Sequence, residues 1–395
     1  MINSMNDRKK ILIVNNNMHI GGVQKSLLNL LWNLQNQYEI TLLLFYQGGE
    51  YLSEIPPEIK VVSDVGEYRY LGMNKTDVKS ISEKWKRFFY AGISRTFGRK
   101  YAIKIMSICH KKRMKYDVAI SYLHNSADKV FYGGCNEFVL NHVEAKKKIA
   151  FLHCDYHKCG ADTKENKQQL LQFDRIAACS QGCADSFLES VPEIKGKVRV
   201  VRNSHHIEDI LQKATEAPVT LKRNSLNVVT VARLGKEKGV ERALRAIAMM
   251  GEEKRNMHYY VIGDGIQMPL LKQIIEEKDL SGVVTLCGMR TNPYGYIRAA
   301  DLLLIPSYSE AAPLVIGEAA LLGTPVLSTE TSSAKEMIED TGYGWVCENS
   351  ERGISETLSQ ILFDRKDDMH KKKAREQVEE ENQLSIHQFI QCMEE

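Results

Sequence analysis

Residues 300–319 read ADLLLIPSYSEAAPLVIGEA, and this stretch decides the fold. The apolar run Leu302–Ile305 is typical of a strand buried on both faces, and the alanine-rich segment from Leu314 is typical of a helix. The predicted order is therefore a strand, a short loop with Glu310, and a helix with Glu318. In open α/β sheets, ligands bind at the loops that follow the strands.

The two glutamates indicate the kind of ligand. A helix N-terminus at such a loop suits a phosphate, because its N–H groups are unpaired and its dipole end is positive. Carboxylates beside a phosphate are expected only where they accept hydrogen bonds from neutral hydroxyls, such as those of ribose or a sugar. The pattern therefore favours a sugar nucleotide. In the alternative interpretation, Glu310 and Glu318 only complement the helix dipole.

Composition limits the classes of protein. A chain of 395 residues is long enough for two domains. It is 43% hydrophobic and 26% charged, and no run reaches the roughly 18 apolar residues of a membrane span. A polar start, residues 1–10, predicts no signal peptide, and nine scattered cysteines then predict reduced thiols and a cytoplasmic location. A net charge of +3 does not indicate nucleic acid as a partner.

Strands and helices alternate through both halves of the chain, which predicts an α/β protein with two parallel-sheet domains. These domains are residues 1–203 and 225–377, joined by a polar linker at 204–224 and followed by a C-terminal helix at 378–395. Helices are predicted at 23–34, 240–250 and 269–278. Twelve strands are predicted, at 10–14, 40–45, 59–62, 118–121, 148–152, 175–179, 198–201, 227–231, 259–262, 283–286, 302–305 and 325–327.

Two loops of the second domain carry further candidates. Arg233 and Lys238 follow its first strand, where two cations could bind a pyrophosphate and neutralise a phosphate leaving group. An ordinary basic surface loop is the alternative. Gly263 and Asp264 form a glycine turn at the end of the next strand, which is common in nucleotide-binding sheets but weak evidence alone.

Together these motifs resemble the retaining glycosyltransferases of the GT-B fold, family 4. The resemblance covers nearly the whole chain and is most specific in the second domain. It implies two Rossmann-like domains facing a central cleft, with an acceptor-binding N-terminal domain, a donor-binding C-terminal domain and a last helix that crosses back. Its motifs are the R-L-x-x-x-K-G at 233–239, G-D-G at 263–265, A-D-L-L-L-I-P-S at 300–307, the E-x7-E at 310–318, Gly21-Gly22, and the strands before His153, Ser180 and Asn203.

The resemblance also implies roles for individual residues. Arg233 and Lys238 would hold the donor diphosphate. Glu310 would contact the transferred sugar, and Glu318 would accept hydrogen bonds from the ribose. His153 would lie near the sugar hydroxyls at the reaction centre.

Gly21-Gly22 resembles the glycine loop of the family, and the segment after Glu310 departs from the family pattern. Gly21 and Gly22 would let the backbone approach the donor phosphate and the acceptor. Where the family commonly reads E-G-F-G-L, this chain has proline at position 313, which removes one backbone N–H. If that N–H normally contacts the pyrophosphate, Leu314 and Val315 must compensate.

The implied reaction moves a sugar, with retention, from a UDP- or GDP-type donor to a glycan or lipid-linked acceptor. It requires no cofactor and no metal, and it serves cell-surface polysaccharide or glycolipid synthesis. Two rival functions remain: a non-catalytic GT-B sugar-binding or scaffold protein, and another GT-B enzyme such as a sugar-nucleotide epimerase. The first would be favoured only if Arg233, Lys238 or one of the two glutamates were lost, and none of them is lost. The second needs acid/base carboxylates in both domains, which the sequence does not place.

A different interpretation concerns the segment His153-Cys154-Asp155-Tyr156-His157-Lys158-Cys159, whose two histidines and two cysteines are four possible zinc ligands. It lacks the paired C-x2-C spacing and a second ligand set. We therefore predict a loop that lines the acceptor site rather than a metal site.

Residues 69–115 form a basic stretch with 14 Lys and Arg against two acidic residues. Aromatic residues are interleaved with these charges, among them Trp85, Phe88, Phe89, Tyr90, Phe97 and Tyr101. Such a stretch is typical of a helical surface that binds an anionic membrane. We expect a cytoplasmic protein that associates peripherally with the inner face of the cell membrane, and a solvated basic helix pair is the alternative.

Overall fold

The computed structural model describes residues 8–108, 110, 113–364 and 374–395. These residues form two compact units. The first unit holds the described residues up to Ser204 together with Leu384–Glu395, and the second runs from His205 to Gln383.

The first unit contains a parallel sheet of seven strands among the described residues. Its strands are β1 Lys10–Asn15, β2 Glu39–Leu44, β3 Lys60–Val62, β4 Met114–Ser121, β5 Val143–Leu152, β6 Arg175–Ala178 and β7 Val198–Val200. Its helices are α1 Gly22–Leu34, α2 Arg69–Gly72, α3 Ile81–Phe97, α4 Arg99–Ile108, α5 Cys135–His142, α6 Lys164–Leu170 and α7 Gln181–Ser190.

The second unit contains a parallel sheet of six strands among the described residues. Its strands are β8 Leu226–Val231, β9 Met257–Ile262, β10 Val284–Gly288, β11 Leu302–Ile305, β12 Val326–Thr329 and β13 Gly344–Cys347. Its helices are α8 Ile207–Glu216, α9 Val240–Met249, α10 Met268–Glu277, α11 Tyr294–Ala299, α12 Leu314–Leu322 and α13 Glu351–Phe363, and the long α14 Ala374–Glu394 closes the chain.

Both sheets have the doubly wound topology. The strand order is β3-β2-β1-β4-β5-β6-β7 in the first unit and β10-β9-β8-β11-β12-β13 in the second. The order reverses between β1 and β4 and again between β8 and β11. Ligands bind at such switch points, beyond the carboxyl ends of the strands. The predicted α/β class with two parallel sheets is therefore confirmed.

Alternation along the strands explains why the second sheet is covered on both faces. Successive side chains of a strand point to opposite faces. Leu302 and Leu304 of β11 accordingly lie in one apolar cluster, and Leu303 and Ile305 lie in another. The continuous apolar runs of the sequence are thus the signature of strands with helices on both sides.

The structure differs from the predicted polar linker over nearly half of its length. Residues Ile207–Glu216 form α8, whose buried Ile207, Ile210 and Ala214 pack into the second unit. Their spacing of three and four residues is helical, but it lies within a segment that is polar overall. The last helix also begins earlier than predicted, because α14 starts before residue 378. Its Phe389, Cys392 and Met393 belong to the apolar core of the first unit.

No helix in the described part of the chain is both long enough and apolar enough to cross a membrane.

Candidate functional site

The loops after β8 and β11 meet at the switch point of the second unit. Lys238 Nζ lies 2.7 Å from Glu310 Oε1, and the Ser307 hydroxyl donates to the same oxygen at 2.6 Å. The side chains of Lys238 and Glu310 are only 26% and 11% exposed. Partial burial strengthens an ion pair, because less water screens it. Two candidates that are 72 residues apart in sequence are therefore in direct contact.

A residue that the sequence analysis missed holds the β11 loop in place. Arg242 of α9 is buried, and its guanidinium donates to the carbonyl oxygens of Pro306 at 2.6 Å and Ser307 at 2.6 Å. It also lies 4.0 Å from the centre of the Tyr308 ring. Burial disfavours the charged form of Arg242, and these carbonyl oxygens replace the water that would otherwise hydrate the guanidinium. Arg242 thus positions the segment that leads to Glu310.

Arg233 lies on the same loop as Lys238 but in a different environment. Its side chain is 77% exposed and pairs with Glu237 Oε1 at 2.8 Å. Burial acts to raise the pKa of Glu237, but hydrogen bonds from the backbone and from Arg233 outweigh it and leave the pKa below its usual value. Glu237 is therefore anionic near neutral pH, and an anionic ligand of Arg233 would have to compete with it.

The turn at Gly263 and Asp264 supports the Arg233 loop. Gly263 has a φ of +144°, and a Cβ there would lie 1.8 Å from the carbonyl oxygen of Ala232. The backbone N–H of Leu234 donates to the carbonyl oxygen of Asp264 at 2.9 Å. The φ angle and the close carbonyl oxygen explain on structural grounds why position 263 is a glycine. The predicted contact of Gly263 and Asp264 with a substrate stays a prediction.

The start of α12 shows what the proline at 313 changes. Pro313 is the N-cap residue and has an extended conformation, with a ψ of 118°. Its ring therefore replaces an N–H that precedes the helix. The first N–H groups of any helix lack intrahelical acceptors, and in α12 these belong to Leu314 and Val315. The predicted compensation by these two residues is thus compatible with the geometry.

Glu318 lies one turn into α12 and is buried. The Tyr294 hydroxyl donates to its Oε1 at 3.3 Å. Glu310 therefore contacts a cation, and Glu318 accepts a hydrogen bond from a phenol.

In the first unit, Gly21 is the N-cap of α1 and Gly22 is its first residue. A Cβ at Gly22 would meet nothing within 4 Å, and a Cβ at Gly21 would come close only to the flexible Gln24 side chain and, at 3.9 Å, to a backbone oxygen. Gly21 has a φ of −178°, which any residue adopts. The packing of the protein itself therefore does not require glycine at either position.

His153 follows β5 and stacks on Phe151 with ring centres 5.5 Å apart. Burial, with a smaller effect from His124, lowers the pKa of His153 to about 3. Its Nε2 atom is buried and has no hydrogen-bond partner among the residues that the structure describes. At neutral pH the side chain is thus an uncharged imidazole with an unused hydrogen-bonding atom.

The fold places the chain in the GT-B class. The structure is similar to that of Anabaena Alr3699/HepE, solved in complex with UDP and glucose, with a TM-score of 0.68 and 17% identity over 97% of this chain and 98% of that one. At this identity the likeness shows the fold. The predicted GT-B fold with two Rossmann-like domains is confirmed.

A family model matches most of the second unit. Residues 212–381, less than half of the chain, match the family model described as "Glycosyl transferases group 1". The numbered family 4 stays a prediction.

Curated relatives match over parts of their length. The putative colanic acid biosynthesis glycosyltransferase WcaL of Escherichia coli (strain K12) is 31% identical over 49% of this chain and 50% of that protein. The amylovoran biosynthesis glycosyltransferase AmsK of Erwinia amylovora is 32% identical over 35% of each. The chain thus spans half or less of the length of these two relatives.

Proposed function

We propose that this protein is a retaining glycosyltransferase that moves a sugar, of the hexose type, from a nucleoside-diphosphate donor to a hydroxyl of a glycan or lipid-linked acceptor. The observation that carries the proposal is the contact between Lys238 and Glu310 at the switch point of the second sheet. A cation and a carboxylate beside a helix N-terminus suit a ligand with both a diphosphate and sugar hydroxyls.

Different residues of the second unit contact different parts of the donor. Lys238, Arg233 and the N-terminus of α12 stabilise the negative charge that develops on the departing diphosphate. Glu318 accepts hydrogen bonds from the ribose, and Glu310 accepts them from the transferred sugar. The ion pair with Lys238 fixes the position of Glu310.

The residues of the first unit act on the sugar and the acceptor. Gly21 and Gly22 admit a ligand close to the backbone, which agrees with the open space around Gly22. His153 is uncharged, so it serves as a hydrogen-bonding group toward a sugar hydroxyl and not as a cation. The acceptor hydroxyl attacks on the face of the leaving group and gives its proton to the departing phosphate, so no protein nucleophile and no metal is needed for transfer.

The names of the relatives indicate a biological setting. WcaL and AmsK are named for colanic acid and amylovoran biosynthesis, which supports a role in surface polysaccharide synthesis. HepE was solved with UDP and glucose, so UDP-sugars are the first donors to test and GDP-sugars the second.

A panel of radiolabelled UDP- and GDP-sugars, incubated with the protein and a lipid extract, tests this proposal. We expect one donor to be consumed and its sugar to appear in an acceptor with the anomeric configuration retained. A protein that binds donor without any transfer would be a scaffold. Conversion of the donor to its epimer in the absence of acceptor would indicate an epimerase.

We also propose that α3 attaches the protein to the cytoplasmic face of an anionic membrane. Trp85 and Phe88 are 68% and 67% exposed, and Ile81 and Phe89 are also exposed on this helix. The spacing of these four residues places them on one helical face. Exposed apolar faces of this kind mark contacts with membranes or proteins. Lys84 and Arg95 flank the face and are exposed, which favours anionic lipid.

A further inference from the structure

Three possible metal ligands of the first unit lie together. His124 follows the end of β4, and Cys154 and Cys159 lie after the end of the neighbouring β5. One ring nitrogen of His124 and the two Sγ atoms all lie within 4.8 Å of one another. The two sulfurs are 2.8 Å apart. Zinc bonds of about 2.0–2.3 Å place tetrahedral ligand atoms slightly under 4 Å apart, within reach of small side-chain rotations.

The same segment contains other candidate ligands that are already engaged. His157 contacts Asp162 at 3.1 Å and the Ser190 hydroxyl at 3.0 Å. The Asp155 carboxylate accepts from the backbone N–H of Lys158 and from Ser186. The sequence analysis predicted no metal site in this segment, and the structure brings together a set that also includes His124 from the loop after β4.

The state of His124 fits a ligand role. Its Nδ1 atom is buried and has no hydrogen-bond partner within the described parts of the chain. Cys154 and Cys159 are free thiols, and Cys154 is almost fully buried. A cation would offset the burial of two thiolates.

We propose that His124, Cys154 and Cys159 form a binding site for one divalent cation that prefers sulfur and nitrogen ligands, with zinc as the expected ion. Three protein ligands leave one tetrahedral position for a water or a hydroxyl. Binding displaces the thiol protons, so affinity rises with pH. Because Cys154 adjoins His153 in sequence, the bound ion also fixes the end of β5. This site is independent of the proposed transfer reaction.

Cobalt binding tests the proposal without any activity measurement. The full chain, reduced and freed of metal by a chelator, is titrated with Co²⁺. We expect one equivalent to bind, with the visible absorption of tetrahedral Co²⁺ and a thiolate charge-transfer band in the near ultraviolet, both lost when Zn²⁺ is added. Zinc should also protect two thiols of the wild-type protein from alkylation, a readout that needs no variant.

Matched variants assign the ligands. Cys154→Ser, Cys159→Ser and His124→Gln should each weaken Co²⁺ binding by more than the roughly 10–100-fold that loss of an outer-shell partner causes. His157→Gln, in the same segment, and Cys287→Ser, in the second unit, should leave binding unchanged. Circular dichroism checks that each variant is folded.

Three results would overturn the proposal. The first is a wild-type protein that binds no stoichiometric Co²⁺ or Zn²⁺ when reduced. The second is unchanged binding in Cys154→Ser and Cys159→Ser. The third is a Cys154–Cys159 disulfide that forms in air despite excess zinc, which would make the pair a redox couple.

Discussion

At the scale of single residues, the two glutamates show how much the sequence could predict. Their spacing and context predicted a shared ligand, but not that Lys238 pairs with Glu310 while Tyr294 donates to Glu318. Such pairings depend on which loops the sheet brings together. No local pattern at 310 or 318 reports on residues 72 or 24 positions away.

Replacement of each glutamate should separate their roles. We expect Glu318→Ala to weaken binding of the free nucleoside diphosphate about tenfold or more, because a charged hydrogen bond is worth roughly 1.5–3 kcal/mol. Glu310→Ala should leave that affinity nearly unchanged and depress transfer. Calorimetry with both variants measures the affinities, with exposed Glu339→Ala as the control. An equal loss of affinity in Glu310→Ala and Glu318→Ala would contradict this division.

Arg242 should matter for stability more than its position in sequence indicates. Arg242→Met leaves the buried carbonyl oxygen of Pro306 without its donor, at about 1–3 kcal/mol. It also removes one donor of the Ser307 carbonyl oxygen, which still accepts from the Thr329 hydroxyl. Arg245→Met, one turn further along α9, removes only a partly exposed ion pair with Glu351, worth about 1 kcal/mol or less. Urea unfolding, followed by a probe in the second unit, should show this contrast. Equal effects would show that Arg242 does not hold the loop.

His153 should remain neutral throughout the physiological range. Its pKa is about 3 in the folded protein, against about 6.5 in an unfolded chain. Between these values the unfolded chain binds the extra proton, so His153 makes the folded state less stable as the pH falls. In NMR spectra of histidine-labelled protein, the resonance lost in His153→Asn should not titrate between pH 8 and about pH 5. Titration near 6.5 would mean that the ring is solvated.

At the scale of elements, apolar runs in the sequence predicted the strands reliably. All twelve predicted strands are present, because strands buried on both faces are continuously apolar. The structure adds β13, which the sequence analysis missed because Gly344–Cys347 is four residues long and begins with glycine. It also converts much of the predicted linker into α8, whose three buried apolar residues were too few to stand out.

The exposed face of α3 gives a prediction at this scale. The protein should sediment with anionic liposomes but not with neutral ones, and less at high salt, since each basic residue near the surface contributes about 1 kcal/mol. Trp85→Ser with Phe88→Ser should abolish binding, and Lys84→Glu with Arg95→Glu should weaken it. Lys86 and Arg87 are poorer choices, because they contact Glu67 and the Met73 carbonyl.

Two controls make this result specific. Lys278→Glu with Lys254→Glu makes the same change of charge in the second unit and should leave binding intact. Equal sedimentation with neutral liposomes, or none with anionic ones at low salt, would refute the membrane surface. Either result would leave the transferase proposal standing.

At the scale of the whole molecule, the predicted residues are divided between two units. Gly21, Gly22 and His153 lie in the first, and the residues proposed to hold the donor lie in the second. The resemblance predicted this division. The sheet topologies explain it, because the residues of each unit follow strands that lie at or next to the switch point of their own sheet. The metal ligands could not be predicted in the same way, since His124 joins them only through the pairing of β4 with β5.

The central claim is that Lys238 stabilises the departing diphosphate, and one measurement tests it most directly. Single-turnover transfer is compared for wild type, Lys238→Ala and Lys236→Ala, which removes an exposed lysine from the same loop. We predict a rate about 100-fold lower or more for Lys238→Ala, the usual effect of losing one group that stabilises transition-state charge, and a nearly unchanged rate for Lys236→Ala. A folded Lys238→Ala protein with a rate within a few-fold of wild type would contradict the account.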